Sequence, residues 1–171
     1  LVVVASATPA GNHGLLKAAI RCDDPVVFME HKELWLTTGD VDESAGPIEL
    51  GKAAIRKTGK DITLLSWSKS ANDCLSAAAL LTKKGIDAEV INIHTIKPLD
   101  RDAILASAKK TGCVVSAEEH QMNGGLGDSI AQLLGRELPT PMEYVAVNDS
   151  FGESGTPDQL LEKYGLTTAA I

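Results

Sequence analysis

The tetrapeptide Glu30-His31-Lys32-Glu33 sets one imidazole among carboxylates and an amine, directly after the apolar run Val26-Val27-Phe28-Met29. Such a run reads as a buried strand. The cluster therefore falls at a strand's carboxyl end, where open α/β sheets hold ligands. Histidine changes charge near neutral pH and can give or take a proton at a reacting oxygen. Glu30 and His31 are therefore the candidate substrate-binding residues. The plain alternative is a charged strand end that faces solvent or a neighbouring domain.

A second cluster, Glu118-Glu119-His120, follows the strand-like Cys113-Val114-Val115-Ser116-Ala117. Neighbours on an extended chain point to opposite sides, so these three do not converge on one ion, and no metal site is expected. Gln121-Met122-Asn123-Gly124-Gly125-Leu126-Gly127 then leads into a helix. Free N–H groups at a glycine-rich helix start can bind an anion. The other reading is a tight turn that packs the helix closely on the sheet or on a partner subunit. The stretch is neither G-x-G-x-x-G nor a Gly-Lys-Ser/Thr loop. Ser66, Ser68 and Ser70 lie at a strand-to-helix junction without G-x-S-x-G, so they read as helix caps and not as nucleophiles. His94, at the end of the strand-like run 89–93, reads as a partly buried histidine bonded to backbone. His13 reads as exposed near a helix start. No catalytic residue is assigned.

The elements that must place these groups come in two segments. Residues 1–38 read strand, helix, strand: an apolar start at Val2-Val3-Val4-Ala5, a turn at Pro9 and Gly11, a helix through Leu15, Leu16, Ala18, Ala19 and Ile20, a stop at Asp23-Asp24-Pro25, then strand 26–29. Residues 39–47 are polar and Gly/Pro-bearing and make a linker. Residues 48–171 repeat an α/β unit. Apolar strands centre near Leu64, Val90, Val115 and Val145, spaced by roughly 25–30 residues, the length of one β-α-β step. The helices between them carry apolar faces at Ala71, Cys74, Leu75, Ala78 and Leu81, at Ile104, Leu105 and Ala108, and at Ile130, Leu133 and Leu134. Asp100 can cap the second of these. The expected fold is a three-layer α/β/α arrangement around a mainly parallel sheet. Thr156 and Pro157 start a last short helix that Gly165 can end.

Composition bounds the class. The 171 residues are 44% hydrophobic and 23% charged, with a net charge of −7. That balance is ordinary for a globular protein, and its sign disfavours a nucleic-acid or anionic-membrane partner. No apolar run approaches the roughly 20 residues that span a bilayer. Cys22, Cys74 and Cys113 show no C-x-x-C spacing and read as reduced core residues of a cytoplasmic protein. Leu1 enters an apolar run with no Met before it, which reads as part of a longer polypeptide.

Taken in order, His94-Thr95-Ile96-Lys97-Pro98-Leu99-Asp100, Lys110-Thr111-Gly112, Glu118-Glu119-His120, Gly124-Gly125-Leu126-Gly127 and Phe151-Gly152-Glu153-Ser154-Gly155 resemble the C-terminal domain of the thiamine-diphosphate-dependent transketolase superfamily, over about residues 48–171. Residues 1–38 resemble the end of the pyrimidine-binding domain of that superfamily. There, Gly14-Leu15-Leu16-Lys17-Ala18-Ala19-Ile20-Arg21, Asp23-Asp24-Pro25-Val26 and Phe28-Met29-Glu30-His31-Lys32 are closest to 2-oxo acid dehydrogenase β-subunits.

The resemblance implies an enzyme using thiamine diphosphate with Mg2+, held between subunits in a homodimer or in a heterotetramer with a thiamine-pyrophosphate-binding subunit. It implies ketol transfer on a small-molecule substrate, or the β-subunit role in a pyruvate or other 2-oxo acid dehydrogenase. Transketolases usually carry a sugar-phosphate-binding arginine near the position of His31, so His31 keeps a 2-oxo acid open. The cofactor-activating glutamate and the metal motif of the family match nothing in these residues. The implication is that this segment alone binds no cofactor productively and is inactive by itself. A non-catalytic dimerisation or regulatory domain is the reading from another class.

Overall fold

The computed structural model describes residues 1–171. Two sheets share the chain. The larger is built from β3 (Ala54–Lys57), β4 (Ile62–Ser66), β5 (Ala88–Asn92), β7 (Val114–Gln121) and β8 (Met142–Val147), in the order β3-β5-β4-β7-β8. Four of its strands run parallel, and β3 joins the β5 edge antiparallel. The smaller sheet holds β1 (Val2–Ala5) between β2 (Val26–Met29), which is parallel to it, and β6 (Thr95–Lys97), which is antiparallel.

Side-chain alternation along β4 and β5 gives the large sheet two cores. Leu64, Val90 and Ala88 face α2 (Ser68–Lys83), where Cys74, Ala77 and Ala78 meet them. Leu65, Ile91 and Val114 face the other way, onto Ile104 and Ala108 of α3 (Arg101–Thr111) and Ile130, Leu133 and Leu134 of α4 (Leu126–Glu137). The helices therefore cover both faces, the α/β/α layering expected from the spacing of the strands.

The caps follow local chemistry. Asp100 starts α3: its carboxylate accepts from the Ala103 N–H at 3.1 Å, and its other oxygen accepts from the Ala53 N–H at 2.8 Å. Gly112 ends α3 in the left-handed region at φ 78. At the first helix, α1 (Pro9–Arg21), the structure differs from the turn expected at Pro9 and Gly11. Thr8 accepts from the Gly11 N–H, and Pro9 occupies the first helical position, so the turn is the helix start itself. At the chain's end, Thr156 donates to Gln159 from both its N–H and its hydroxyl, and α5 (Pro157–Lys163) begins as expected.

Two strands escape the apolar pattern. Ala54-Ile55-Arg56-Lys57 is only half apolar and lies at a sheet edge, with Ile55 exposed. Thr95-Ile96-Lys97 is only three residues long, and its pairing partner β1 lies some ninety positions earlier in the chain. The cysteines also depart from a uniform core placement. Cys74 is buried, and burial pushes its thiol up to about 12, whereas Cys22 and Cys113 are only half-buried. All three are free.

A buried polar network closes the bottom of the sheet. The Glu89 carboxylate accepts from Ser107 and from the Lys110 ammonium, and the Ser107 hydroxyl meets Thr63 at 2.6 Å. Burial by itself would raise the Glu89 carboxyl, but the bonds from Lys110 and Ser107 outweigh it and hold the group below its ordinary range.

Gly59 approaches β5 so closely that a Cβ there would overlap the Ala88 carbonyl and the Glu89 nitrogen. Both neighbours are backbone and cannot rotate away. Gly59→Ala should cost about 1–3 kcal/mol, or roughly 2–12 °C in melting temperature. A thermal melt of the variant checks this, and an unchanged midpoint would contradict the packing.

Candidate functional site

The order β5-β4-β7 reverses the direction of winding. The chain leaves β4 for β5 on one side and returns to β7 on the other. The carboxyl ends of β4 and β7 therefore flank a switch-point crevice, the usual ligand position in open α/β sheets. Lys69 follows β4, and Glu119 lies near the end of β7. Into this crevice the N-terminal segment sends His31.

The three side chains meet. His31 Nε2 stands 2.7 Å from Glu119 Oε2. Lys69 Nζ is 3.3 Å from the other Glu119 oxygen, 3.1 Å from Asp73 and 3.9 Å from Glu33. Burial would lower the Lys69 ammonium, yet Asp73 and Glu119 raise it above its ordinary value and keep it cationic. His31 Nδ1 accepts from the Glu33 N–H at 3.3 Å, where His31 also starts the 3-10 turn Lys32–Leu34. A ring nitrogen that accepts carries no proton, so this pattern assigns the proton to Nε2, which donates to Glu119.

Three clefts open around this contact. The first, about 540 Å³, is lined by Ser6, Thr8, Asn12, His13, Glu30 and His31 among others. The second, about 240 Å³, lies between His31, Glu119, Lys69 and Ser68. The third, about 280 Å³, lies between His31, Glu119 and the α5 residues Leu160 and Leu161. Glu30 and His31 thus stand together at a cleft, as the sequence placed them. His31 is half-buried, while Glu30 sits at the rim with one oxygen accepting from Asn12 Nδ2 at 3.2 Å. His13 lines the same cleft and is half-buried, where the sequence suggested an exposed ring.

Glu119 is the functional candidate that sequence reasoning passed over. In the sequence it stands only as one of three polar residues after a strand-like run, and its partner His31 lies 88 positions away. The alternation along β7 was the available signal: Glu118 turns to one face and Glu119 to the other. Glu118 is buried, and its two oxygens accept from the Leu126 and Gly127 N–H groups, both at 2.8 Å. The glycine-rich helix start does hold an anion, and that anion is the chain's own carboxylate. A Cβ at Gly125 would come within 2.5 Å of Glu118, and one at Gly127 within 2.7 Å of Ser116 and Tyr144. Glycine is needed there for close packing on the sheet.

The serines do not cap α2. Ser66 donates to the Ala117 carbonyl and ties β4 to β7, while Ser68 takes the left-handed region at φ 51. Trp67 stands at the N-cap position without a side-chain bond, because its indole offers only an N–H donor and cannot accept from a helix amide. His94 is 5% exposed and its Nε2 has no partner, so the expected backbone bond is not made by that nitrogen. Desolvation lowers the His94 pKa below its ordinary value, and the charge of Asp100 opposes the shift without reversing it. No group of three or more His, Cys, Asp or Glu side chains gathers to hold a metal ion. No helix is long and apolar enough to cross a membrane.

Residues 51–171 match the family described as Transketolase, C-terminal domain. The chain is 45% identical over 131 residues to the 6-deoxy-6-sulfo-D-fructose transketolase subunit SqwH of Clostridium sp. (strain MSTE9), covering 77% of this chain and 41% of that protein. It is 41% identical over 138 residues to the mitochondrial pyruvate dehydrogenase E1 component subunit beta of Dictyostelium discoideum, covering 78% and 39%. A solved split gene transketolase, an inactive beta4 tetramer, superposes with a TM-score of 0.88 at 38% identity, covering 99% of this chain and 55% of that one. The chain spans about two fifths of the length of these two curated relatives.

Two outcomes test the site's framework. Glu118→Gln replaces one acceptor oxygen with an NH2 group against the α4 amides and should destabilise the fold by about 1.5–3 kcal/mol in denaturant titration. Stability should also fall as the pH drops below 6.5, where the unfolded chain protonates His94 and the fold resists it. His94→Leu should flatten that part of the stability-pH curve, and an unaltered slope would remove His94 from the explanation.

Proposed function

The chain belongs to the transketolase C-terminal domain family, and from that premise we propose that it is the C-terminal part of a thiamine-diphosphate-dependent enzyme transferring a two-carbon ketol unit. In this reading residues 1–38 end a pyrimidine-binding domain, 39–47 link, and 48–171 form the C-terminal domain. The location is cytoplasmic, which the three free cysteines support.

The first cleft carries the choice of substrate. Asn12 Oδ1 is buried without a partner, and only one Glu30 oxygen is engaged, by Asn12. Thr8 Oγ1 accepts from Gly11, leaving its own proton to donate. No Lys or Arg lines the cleft. A lining rich in acceptors suits the hydroxyl groups of a sugar and opposes a carboxylate. Glu30 and His31 are the substrate-binding residues in this scheme. In this reading the metal and diphosphate end of the cofactor is held by other parts of the assembly. When bound, thiamine diphosphate supplies the electron sink for carbon–carbon cleavage. Exposed Leu36 and Phe151, 93% and 99% accessible, are apolar surface that subunit association in a homodimer or heterotetramer would cover.

One observation favours a second reading, the β-subunit of a 2-oxo acid dehydrogenase. His31 stands where the resemblance to transketolases calls for a phosphate-binding arginine, and the Dictyostelium relative is a pyruvate dehydrogenase subunit by name.

The complete enzyme, assembled with its remaining segment or subunit, decides between them. Ketol transfer from a ketose to an aldose acceptor is expected, and decarboxylation of 2-oxo acids alone would overturn the proposal. Glu30→Gln should raise KM for the sugar about tenfold or more, the worth of one charge-assisted bond.

A further inference from the structure

His31 has two nitrogens, and the partners they find decide what the ring can offer a ligand. Nδ1 is held only by the Glu33 N–H, at a long 3.3 Å. Nε2 is held by Glu119 at 2.7 Å, the shorter and charge-assisted contact. Glu119 is itself pinned on its other oxygen by Lys69, which Asp73 holds in turn. This chain of contacts starts on α2, crosses the end of β7 and finishes on the segment after β2.

We propose that Glu119 is a positioning residue for His31. It keeps the proton on Nε2, so that Nδ1 stays the accepting nitrogen, and a substrate hydroxyl in the first cleft can replace the long Glu33 N–H contact there. Lys69 fixes the Glu119 carboxylate between the second and third clefts, both of which Glu119 and His31 line. Without the carboxylate, only the long Glu33 N–H contact orients the imidazole, and once substrate displaces it either nitrogen can carry the proton. The cleft wall then presents a donor as often as an acceptor. Neither Glu119 nor Lys69 need touch substrate for this. The inference rests on the reading of His31 as a wall of the substrate cleft.

The test is a double-mutant cycle on kcat/KM in the complete enzyme. His31→Ala and Glu119→Ala should each lower kcat/KM about tenfold. The double variant should lie within about threefold of His31→Ala alone, because Glu119 acts through the ring. Glu119→Gln retains a carbonyl acceptor for Nε2–H and should recover most of the loss, and it serves where Glu119→Ala does not assemble. A purely structural role predicts falling melting temperature with independent, multiplying effects on kcat/KM, and that result overturns the proposal. Glu119→Ala at wild-type kcat/KM also overturns it. His31→Ala at wild-type rate with Glu30→Gln impaired sinks the positioning role while sparing the cleft. His31→Ala and Glu30→Gln both at wild-type rate sink the cleft reading itself.

Discussion

Side-chain alternation along the end of β7 is the constraint on which the site depends. Successive residues of a strand point to opposite faces. Glu118 therefore goes inward to the amides of α4, and Glu119 goes to the crevice and His31. Two adjacent carboxylates do unlike work because the pleat separates them. One fixes a helix to the sheet, and the other fixes the preceding segment to the same strand. A register shift of one residue would turn each to the other's face and move both along the strand, away from the partners they now hold. β7 pairs with β8 from Val114 to Ala117 and again at Gln121, opposite Val147, with an irregularity between them that spans Glu118 and Glu119.

The crevice shows how a helix start that is competent for anions becomes structural. Gly124, Gly125 and Gly127 leave backbone N–H groups accessible, which is also what a phosphate loop requires. Here a carboxylate from the neighbouring strand reaches them first, at 2.8 Å on both oxygens. An external anion would have to displace a tethered one already paired with two donors. On the opposite face His31, Glu30 and Asn12 line an open cleft. The buried network at Glu89, Ser107, Thr63 and Lys110 performs the matching task at the sheet's other end, where Glu89 lies within the core yet fully partnered.

The smaller sheet binds the two segments of the chain. β6 comes from the second segment but pairs with β1 of the first, and the Ala5 N–H donates to the His94 carbonyl beside it. Backbone pairing and the His31–Glu119–Lys69 contact therefore join the same two parts at different places. This gives the clefts between them walls of defined spacing. Asn72 of α2 adds a bond to the Ala7 carbonyl at 3.0 Å, close to the mouth of the first cleft.

The amino-acid sequence alone determined the layered α/β architecture, because apolar runs at β-α-β spacing and helix faces at period 3.6 are local signals. The caps at Asp100 and Thr156 were legible for the same reason, each being chemistry within a few residues. Glu30 and His31 were legible as a charged cluster at a strand end. Tertiary structure decided the rest. β3 and β6 carry no apolar pattern, since one is an edge and the other is three residues long, and only their distant partners make them strands. The occupant of the glycine-rich helix start and the partner of His31 were also beyond the sequence. Each is a carboxylate whose direction is set by the pleat and whose counterpart is brought near only by the folded chain.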